Sequence, residues 1–451
     1  MTVLFAVGNR IPSSPIFGPL VAVILYLISQ RLIKGVAAKE NDFRMIKLLR
    51  WSLILHLACA PAQIFVVDHF YHGVADYTQY DLSGSIIANN FRHFDFSIAG
   101  SNAGAHILGD GATSIAAGVV MTFVGTDQLA AFFVFAWFSF LGSIAFFRAF
   151  SVTFPDANKR RYALMLFFLP SILFWTAAVG KEGIISLSLG LIAYGCARVL
   201  ARLRGGYLLI LFGGLIGVYI RPNELALAAG GFAIAMVFRP MASSGGKAMK
   251  GIRLIGSWIF LAVVLSFVAT VAAKLVHVGG STGLTGALNK IGNAGKGNTT
   301  IGSVSGTAAV PYSKNPLTYP RDVYEVLFNP LPFTARSATQ LIAAAENTVI
   351  AVLIYKSLRN LRCVIRACRY KPYVLMCLIY TLAFFYAFAA LGNEGVIIRE
   401  RTLLFPFLLV LLNVPVVPKG HPPFYPWEKK RPKRAERKRA KRAQQTNPFA
   451  Y

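Results

Sequence analysis

The sequence predicts an all-α polytopic membrane protein with about eleven transmembrane helices, and three observations predict it. Hydrophobic residues make up 55% of the 451 positions and charged residues only 14%, whereas a soluble globular chain carries about 25% charged residues. Mean hydropathy is +0.56. The formal net charge is +28, so the remaining charge either binds a polyanion or is sorted to one side of a bilayer.

A helix that crosses a bilayer needs about 20 apolar residues, or fewer when it is part of a hairpin. Eleven stretches are candidates, at residues 16–34, 49–67, 129–150, 162–178, 184–203, 207–220, 225–238, 254–276, 339–358, 373–391 and 402–417. The sixth and seventh are too short to cross alone. We interpret them as a tight hairpin with Arg221-Pro222-Asn223-Glu224 at its tip, where Pro222 ends one helix and begins the next.

Lys and Arg residues set the predicted orientation. They concentrate in the connections after the first, third, fifth, seventh and ninth spans. Cytoplasmic loops are enriched in basic residues, so the N-terminus is predicted outside and the C-terminus in the cytoplasm. This alternation requires that the apolar stretch at residues 112–126 does not cross, and we expect it to be a juxtamembrane helix at the outer interface. The transmembrane domain then covers residues 1–417.

Two predicted outer segments are long. Residues 68–128 hold six Asp against one Arg, and of these we interpret Asp95, Asp110 and Asp127 as solvated loop charges. Residues 277–338 begin with a Gly/Ser/Thr/Asn-rich stretch that cannot bury a core. Five prolines follow in the same segment, and they predict extended chain packed over the membrane domain.

The C-terminal tail, residues 418–451, is strongly basic and too polar to fold alone. We expect it to contact anionic lipids of the inner leaflet, in preference to RNA, the ribosome or a protein partner. Because the net charge is explained by orientation and this tail, no nucleic-acid partner is expected. The five cysteines lie in apolar runs or beside basic clusters and imply no disulfide framework.

Ionisable residues form four groups at the predicted outer ends of the spans, where charge beside hydrocarbon is costly and usually retained for a purpose. The groups are Asp68-His69-Phe70-Tyr71-His72 with Asp76-Tyr77-Thr78-Gln79-Tyr80-Asp81; Lys181-Glu182; Arg221 with Glu224; and Glu394 with Arg399-Glu400-Arg401. Two interpretations compete. In the first, these residues are solvated charges, helix-end ion pairs and interfacial anchors. In the second, they form one site, because the predicted topology brings all four groups to the same side of the bilayer.

A site that combines carboxylates with several fixed cations suits a phosphate-linked substrate. Arg and Lys would hold the phosphate oxygens and stabilise charge on the departing phosphate, while an Asp would act as general base on an acceptor hydroxyl. Tyr77 and Tyr80 would stack on sugar rings. A metal site at His69 and His72, three residues apart, is an alternative use of the first group.

Several short segments resemble the multispan glycosyltransferases of the GT-C superfamily. More closely, they are similar to uncharacterised actinobacterial membrane proteins described as glycosyltransferase or polysaccharide polymerase relatives. The matching segments are residues 73–77, 148–150, 169–175, 180–182, 220–222, 330–333 and 393–401. The resemblance implies a polyprenyl-phosphate donor and an acidic residue in the first outer loop that activates the acceptor. It carries that role to Asp76, with Asp68 as the alternative. Asn223 stands where the family pattern has His.

The four charged groups and the resemblance together predict inverting glycosyl transfer or glycan polymerisation at the outer leaflet of the bacterial cytoplasmic membrane. The donor would be a sugar on polyprenyl phosphate or pyrophosphate, and the acceptor a glycan or a lipid. The predicted phosphate-binding residues are Lys181, Arg221, Arg399 and Arg401, oriented by Glu182 or Glu224. No cofactor is assigned, and a divalent metal stays open. The alternatives are a transporter or flippase of an anionic or lipid-linked substrate, and a non-catalytic subunit of an envelope complex.

Overall fold

The computed structural model describes residues 16–70, 75–105, 108–239, 319–335, 338–358, 361–388 and 394–415, with a few isolated positions between 256 and 266. All regular structure in these residues is helical. The helices are α1 (Phe17–Glu40), α2 (Arg44–Phe70), α3 (Asp76–Arg92), α4 (Asp110–Val124), α5 (Gln128–Thr153), α6 (Arg160–Phe168), α7 (Pro170–Trp175), α8 (Lys181–Leu200), α9 (Gly206–Val218), α10 (Pro222–Val237), α11 (Tyr319–Phe328), α12 (Ala338–Leu358), α13 (Leu361–Tyr370), α14 (Pro372–Phe388) and α15 (Glu394–Leu412).

Five of the described helices are long and apolar enough to cross a membrane: α1, α2, α5, α8 and α12. A sixth span is obtained if α13 and α14, which are bent by 114°, count as one. The prediction of an all-helical membrane protein is therefore confirmed, while the count of eleven crossings is not confirmed. The predicted eighth span, residues 254–276, lies almost entirely outside the described residues.

The other differences from eleven spans have local physical causes. The predicted fourth span is divided into α6 and α7 at Leu169, because Pro170 lacks a backbone donor and clashes with the preceding turn. The hairpin helices α9 and α10 are only 13 and 16 residues long. The final helix α15 begins at Glu394 rather than at residue 402, so the charged residues before the apolar run are helical.

Helix α5 is the centre of the bundle. In its apolar window 78% of the residues are buried, against 33% in α1 and α2. It packs against α8 at two glycines, where a Cβ added at Gly190 would lie 2.5 Å from the carbonyl oxygen of Gly142. Helix α9 approaches α8 equally closely, and the Ser188 hydroxyl donates to the Gly213 carbonyl at 2.6 Å. Small residues thus let the backbones of three helices touch, as in other membrane bundles.

The charged residues separate to opposite ends of this bundle. At one end, which we call the basic end, Glu40 at the end of α1 pairs with Arg148 of α5 and, at 2.6 Å, with Lys159. Lys371 lies at the same end, with its ammonium 5.8 Å from the Phe154 ring. The starts of α3, α8 and α10 meet Arg399 and Glu400 of α15 at the other end, where the candidate site lies.

The proline-rich segment before α12 differs from its prediction. Residues 319–328 form helix α11 rather than extended chain. Pro320 is tolerated there because the first turn of a helix leaves its N–H groups unpaired. Val326 and Leu327 are buried on one side of this helix, so packing favours the helix over extended chain.

Candidate functional site

A chain of ion pairs joins four helices at the end of the bundle opposite the basic end. In α15, Arg399 Nη1 binds Asp76 Oδ2 of α3 at 2.6 Å, and its Nε lies 3.0 Å from Glu182 Oε1 of α8. The same Glu182 oxygen accepts from Arg221 Nη2 at 2.7 Å, and Arg221 also pairs with Glu400. One carboxylate oxygen is therefore shared by two guanidinium groups.

A second set of pairs adjoins the first through the neighbouring residue of α8. Lys181 Nζ lies 2.7 Å from Asp110 Oδ1 at the start of α4. The Tyr80 hydroxyl of α3 donates to the same Asp110 oxygen. We call the residues of both sets the charged cluster: Asp76, Tyr80, Asp110, Lys181, Glu182, Arg221, Arg399 and Glu400.

The local sequence explains why acids collect at this end. Asp76, Asp110 and Glu182 each lie in the first turn of a helix, where unpaired N–H groups and the helix dipole favour negative charge. Arg221 occupies the N-cap position of α10, and Pro222 follows it as the first helical residue. The hairpin turn therefore fixes the Arg221 side chain against the acidic helix starts.

Burial divides the charged cluster into a buried part and an exposed rim. The side chains of Glu182 and Arg221 are 8% and 9% exposed. Asp76 is 60% exposed and its partner Arg399 28%. Asp110 is likewise more exposed than its partner Lys181. A molecule arriving from solvent would meet the two exposed carboxylates first, each of which covers a cation.

Asp110 and Tyr80 have opposite pKa shifts with a common origin. Burial raises the pKa of the Tyr80 hydroxyl, and its hydrogen bond to the Asp110 carboxylate raises it further. Burial also opposes ionisation of Asp110, but hydrogen bonds from Lys181 and Tyr80 outweigh it and hold the pKa of that carboxyl below its ordinary value. Asp110 is therefore ionised and paired with Lys181 at neutral pH.

Two of the predicted site residues lie elsewhere. Glu224 is buried between α10 and α14, where it accepts a hydrogen bond from the Tyr380 hydroxyl at 2.6 Å. Arg401 is fully buried and donates to the carbonyl oxygens of Leu327 and Asn329, the latter at 2.9 Å. These contacts hold two helices and the segment after α11, and neither side chain is part of the charged cluster.

The remaining predicted residues have other surroundings. Asp68 is exposed in the last turns of α2. The Tyr77 ring is buried edge-on against Phe132 at a centroid distance of 5.0 Å, so it packs α3 onto α5. His69 Nδ1 lies 3.0 Å from the Phe65 carbonyl, and His72 lies outside the described residues. Within the part of the chain that the structure describes, no group of three His, Cys, Asp or Glu residues could hold a metal ion.

Three acidic residues, Asp110, Glu400 and Glu346, have contacts that were not predicted from the sequence. Asp110 was interpreted as solvated, although its place directly before an apolar helix is a signal for a helix start. Glu400 was noted without a role. Glu346 of α12 is buried and accepts from the Ser171 backbone N–H at 2.7 Å. A carboxylate inside an apolar span is itself a signal, because such residues are rarely left without a partner.

Comparisons with protein-family models, with curated proteins and with solved structures find no match for this chain. The chemistry of the charged cluster is therefore the main indication of what the protein does.

Proposed function

We propose that this protein transfers a sugar from a polyprenyl-phosphate or polyprenyl-pyrophosphate donor to a glycan or lipid acceptor. The observation that supports this most is the Arg399 guanidinium, which joins the exposed Asp76 carboxylate to the buried Glu182. A candidate general base and a candidate phosphate-binding cation are thus in direct contact at the solvent-facing rim. The resemblance to GT-C glycosyltransferases noted in the sequence favours the same chemistry.

The charge balance of the described cluster suggests how a donor would bind. Three cations face four carboxylates, so each cation already has a partner. A donor phosphate would replace the two exposed carboxylates, Asp76 on Arg399 and Asp110 on Lys181, because exposed ion pairs are weak. The buried pairs of Arg221 with Glu182 and Glu400 would stay in place and hold Arg399 in position.

The same exchange would prepare the base. Once the donor phosphate occupies Arg399, the Asp76 carboxylate is free to accept a proton from the acceptor hydroxyl. The acceptor oxygen then forms a bond to the anomeric carbon while the bond from that carbon to the phosphate oxygen breaks. The proton passes to Asp76, and Arg399 and Lys181 stabilise the negative charge on the departing polyprenyl phosphate. Displacement from the opposite face inverts the anomeric configuration.

We propose eleven crossings in a bacterial cytoplasmic membrane, with the N-terminus outside and the charged cluster at the outer leaflet. In this arrangement α6 and α7 form one broken span, and α9 and α10 form a hairpin that enters from the basic end. Arg148, Lys159 and Lys371 lie at the basic end, which fits a cytoplasmic position.

The test compares Asp76→Asn and Arg399→Gln with the wild type in cells, after membrane levels are shown to be equal. We expect both variants to lose the surface glycan and to accumulate a lipid-linked sugar precursor, measured by mass spectrometry of lipid extracts. Asp95→Asn is the matched control, because this exposed acid of the same segment bonds only locally to Ser97. Its glycan should be unchanged.

A second step separates transfer from transport. The precursor that accumulates in the Asp76→Asn cells is mixed with purified wild-type protein in detergent, where no membrane remains to be crossed, together with a protein-free glycan and lipid extract of the same cells that supplies the acceptor. A transferase releases polyprenyl phosphate or pyrophosphate from it, and a flippase does not. Unchanged glycans and lipid-linked sugars in both variants would show that the charged cluster is structural.

A further inference from the structure

Helix α13 stands apart from the spans in its direction. It is bent by 114° from α14, which begins at Pro372. Helical geometry is disfavoured for the residue before a proline, so the helix is interrupted at Lys371, between α13 and α14. If α14 crosses the bilayer, α13 lies nearly along the bilayer surface at the basic end.

One side of α13 packs on the protein. Ala367 is fully buried, and Val364 and Cys368 are partly buried against the core. These contacts fix the rotation of the helix about its axis. The opposite half of its circumference is consequently turned away from the bundle.

The half of α13 that faces away has two adjoining strips of different chemistry. Leu361 and Ile365 are 49% and 62% exposed and form an apolar edge. Next to this edge the helical repeat places three exposed arginines, Arg362, Arg366 and Arg369, within an arc of about 60°. An apolar edge beside a row of arginines is the pattern of helices that lie in a membrane interface.

Charge complementarity decides what covers this face. The C-terminal tail, residues 418–451, is itself strongly basic and would be repelled by the three arginines. An anionic phospholipid surface matches both strips, because its acyl chains accept the apolar edge and its phosphates accept the arginines. Guanidinium groups bind phosphate oxygens through two parallel hydrogen bonds.

We propose that α13 is a binding site for anionic phospholipid. Leu361 and Ile365 enter the acyl region of the leaflet, and Arg362, Arg366 and Arg369 bind the headgroup phosphates. This site lies at the end of the bundle away from the charged cluster and does not depend on the proposed glycosyl transfer.

The experiment uses the full chain in nanodiscs of equimolar phosphatidylcholine and phosphatidylglycerol. Native mass spectrometry measures how many molecules of each lipid stay bound. We expect the wild type to retain phosphatidylglycerol preferentially, and the triple variant R362Q/R366Q/R369Q to lose this preference by roughly tenfold or more. The triple variant R362K/R366K/R369K, which keeps the charge, should recover part of it.

The matched control is R44Q/K47Q/R161Q, which removes the same charge from exposed positions on α2 and α6. It should keep the preference for phosphatidylglycerol. If both glutamine variants lose it equally, the attraction is diffuse and the proposal fails. Immersion of the apolar edge is tested without removing any arginine. The Ile365→Trp variant should show additional fluorescence that brominated acyl chains quench, and an absence of that quenching would also overturn the proposal.

Discussion

The central residue of the charged cluster is Glu182, since one of its oxygens serves both Arg221 and Arg399. Its side chain is 8% exposed, so its removal leaves two neighbouring guanidinium groups, of which the buried Arg221 keeps only Glu400 and Arg399 keeps only the exposed Asp76. Removing one member of a buried ion pair is far more costly than removing an exposed one, because the remaining charge loses its compensation.

We expect Glu182→Gln to lower the free energy of unfolding by about 3 kcal/mol. Asp76→Asn, at a 60% exposed side chain, should lower it by less than about 1 kcal/mol. Unfolding of the purified protein by SDS in mixed micelles measures both. Equal effects of the two substitutions would contradict a buried, shared Glu182.

The rule that charge beside hydrocarbon is kept for a purpose identified Asp76, Lys181, Glu182, Arg221 and Arg399 from the sequence. It could not assign their partners, because those lie on helices distant in the chain. In α15 the partners also depend on the direction in which each side chain points around the helix axis. Successive helical residues point about 100° apart, so Arg399 faces α3 and α8, Glu400 faces Arg221, and Arg401 faces the segment after α11. The sequence predicts that this helix starts at residue 402, so the different directions of these three side chains could not be derived from helical geometry.

At the scale of elements, the bundle depends on close approaches between α8 and its neighbours α5 and α9. Two adjacent glycines of α9 show how specific these approaches are. A Cβ added at Gly213 would lie 2.7 Å from the Ser188 carbonyl oxygen, whereas one added at Gly214 meets nothing within 4 Å. The first position faces α8, and the second faces away from the bundle.

We expect Gly213→Ala to lower the free energy of unfolding by about 1–3 kcal/mol, since the helices must separate to admit a methyl group. Gly214→Ala should leave stability equal or raise it by up to about 1 kcal/mol, through the better helix propensity of Ala. The same SDS titration measures the pair. A larger loss at Gly214 would show that α9 is rotated differently.

The elements that hydropathy predicted well are the long ones, such as α1, α2, α5, α8 and α12, because length and composition suffice there. It was less informative where backbone chemistry decides. Pro170 divides a predicted span into α6 and α7, and Pro320 lies in the first turn of a helix where extended chain was predicted. The same residue type has opposite effects at a helix interior and at a helix start, and only the packing of neighbouring residues distinguishes the two.

At the scale of the whole molecule, the separation of charge between the two ends leads to a prediction about sidedness. A variant without the five native cysteines would receive one new cysteine, either at Asp95 between α3 and α4 or at Arg204 between α8 and α9. Both positions are exposed. We expect a membrane-impermeant maleimide to label Asp95→Cys in intact cells and Arg204→Cys only after permeabilisation. The reverse pattern would invert the proposed orientation.

The brevity of α9 has a consequence for the surrounding lipid. Its 13 residues rise about 20 Å, against a hydrocarbon thickness of about 30 Å. Leu208, Leu211, Phe212 and Leu215 are exposed along it, so if the hairpin crosses the bilayer as proposed, the helix is shorter than the hydrocarbon core around it is thick. Such hydrophobic mismatch is relieved by local thinning of the bilayer. Headgroups beside the hairpin would then sink toward Arg221, and a phosphate carried on a long isoprenoid would slide in sideways without leaving the leaflet.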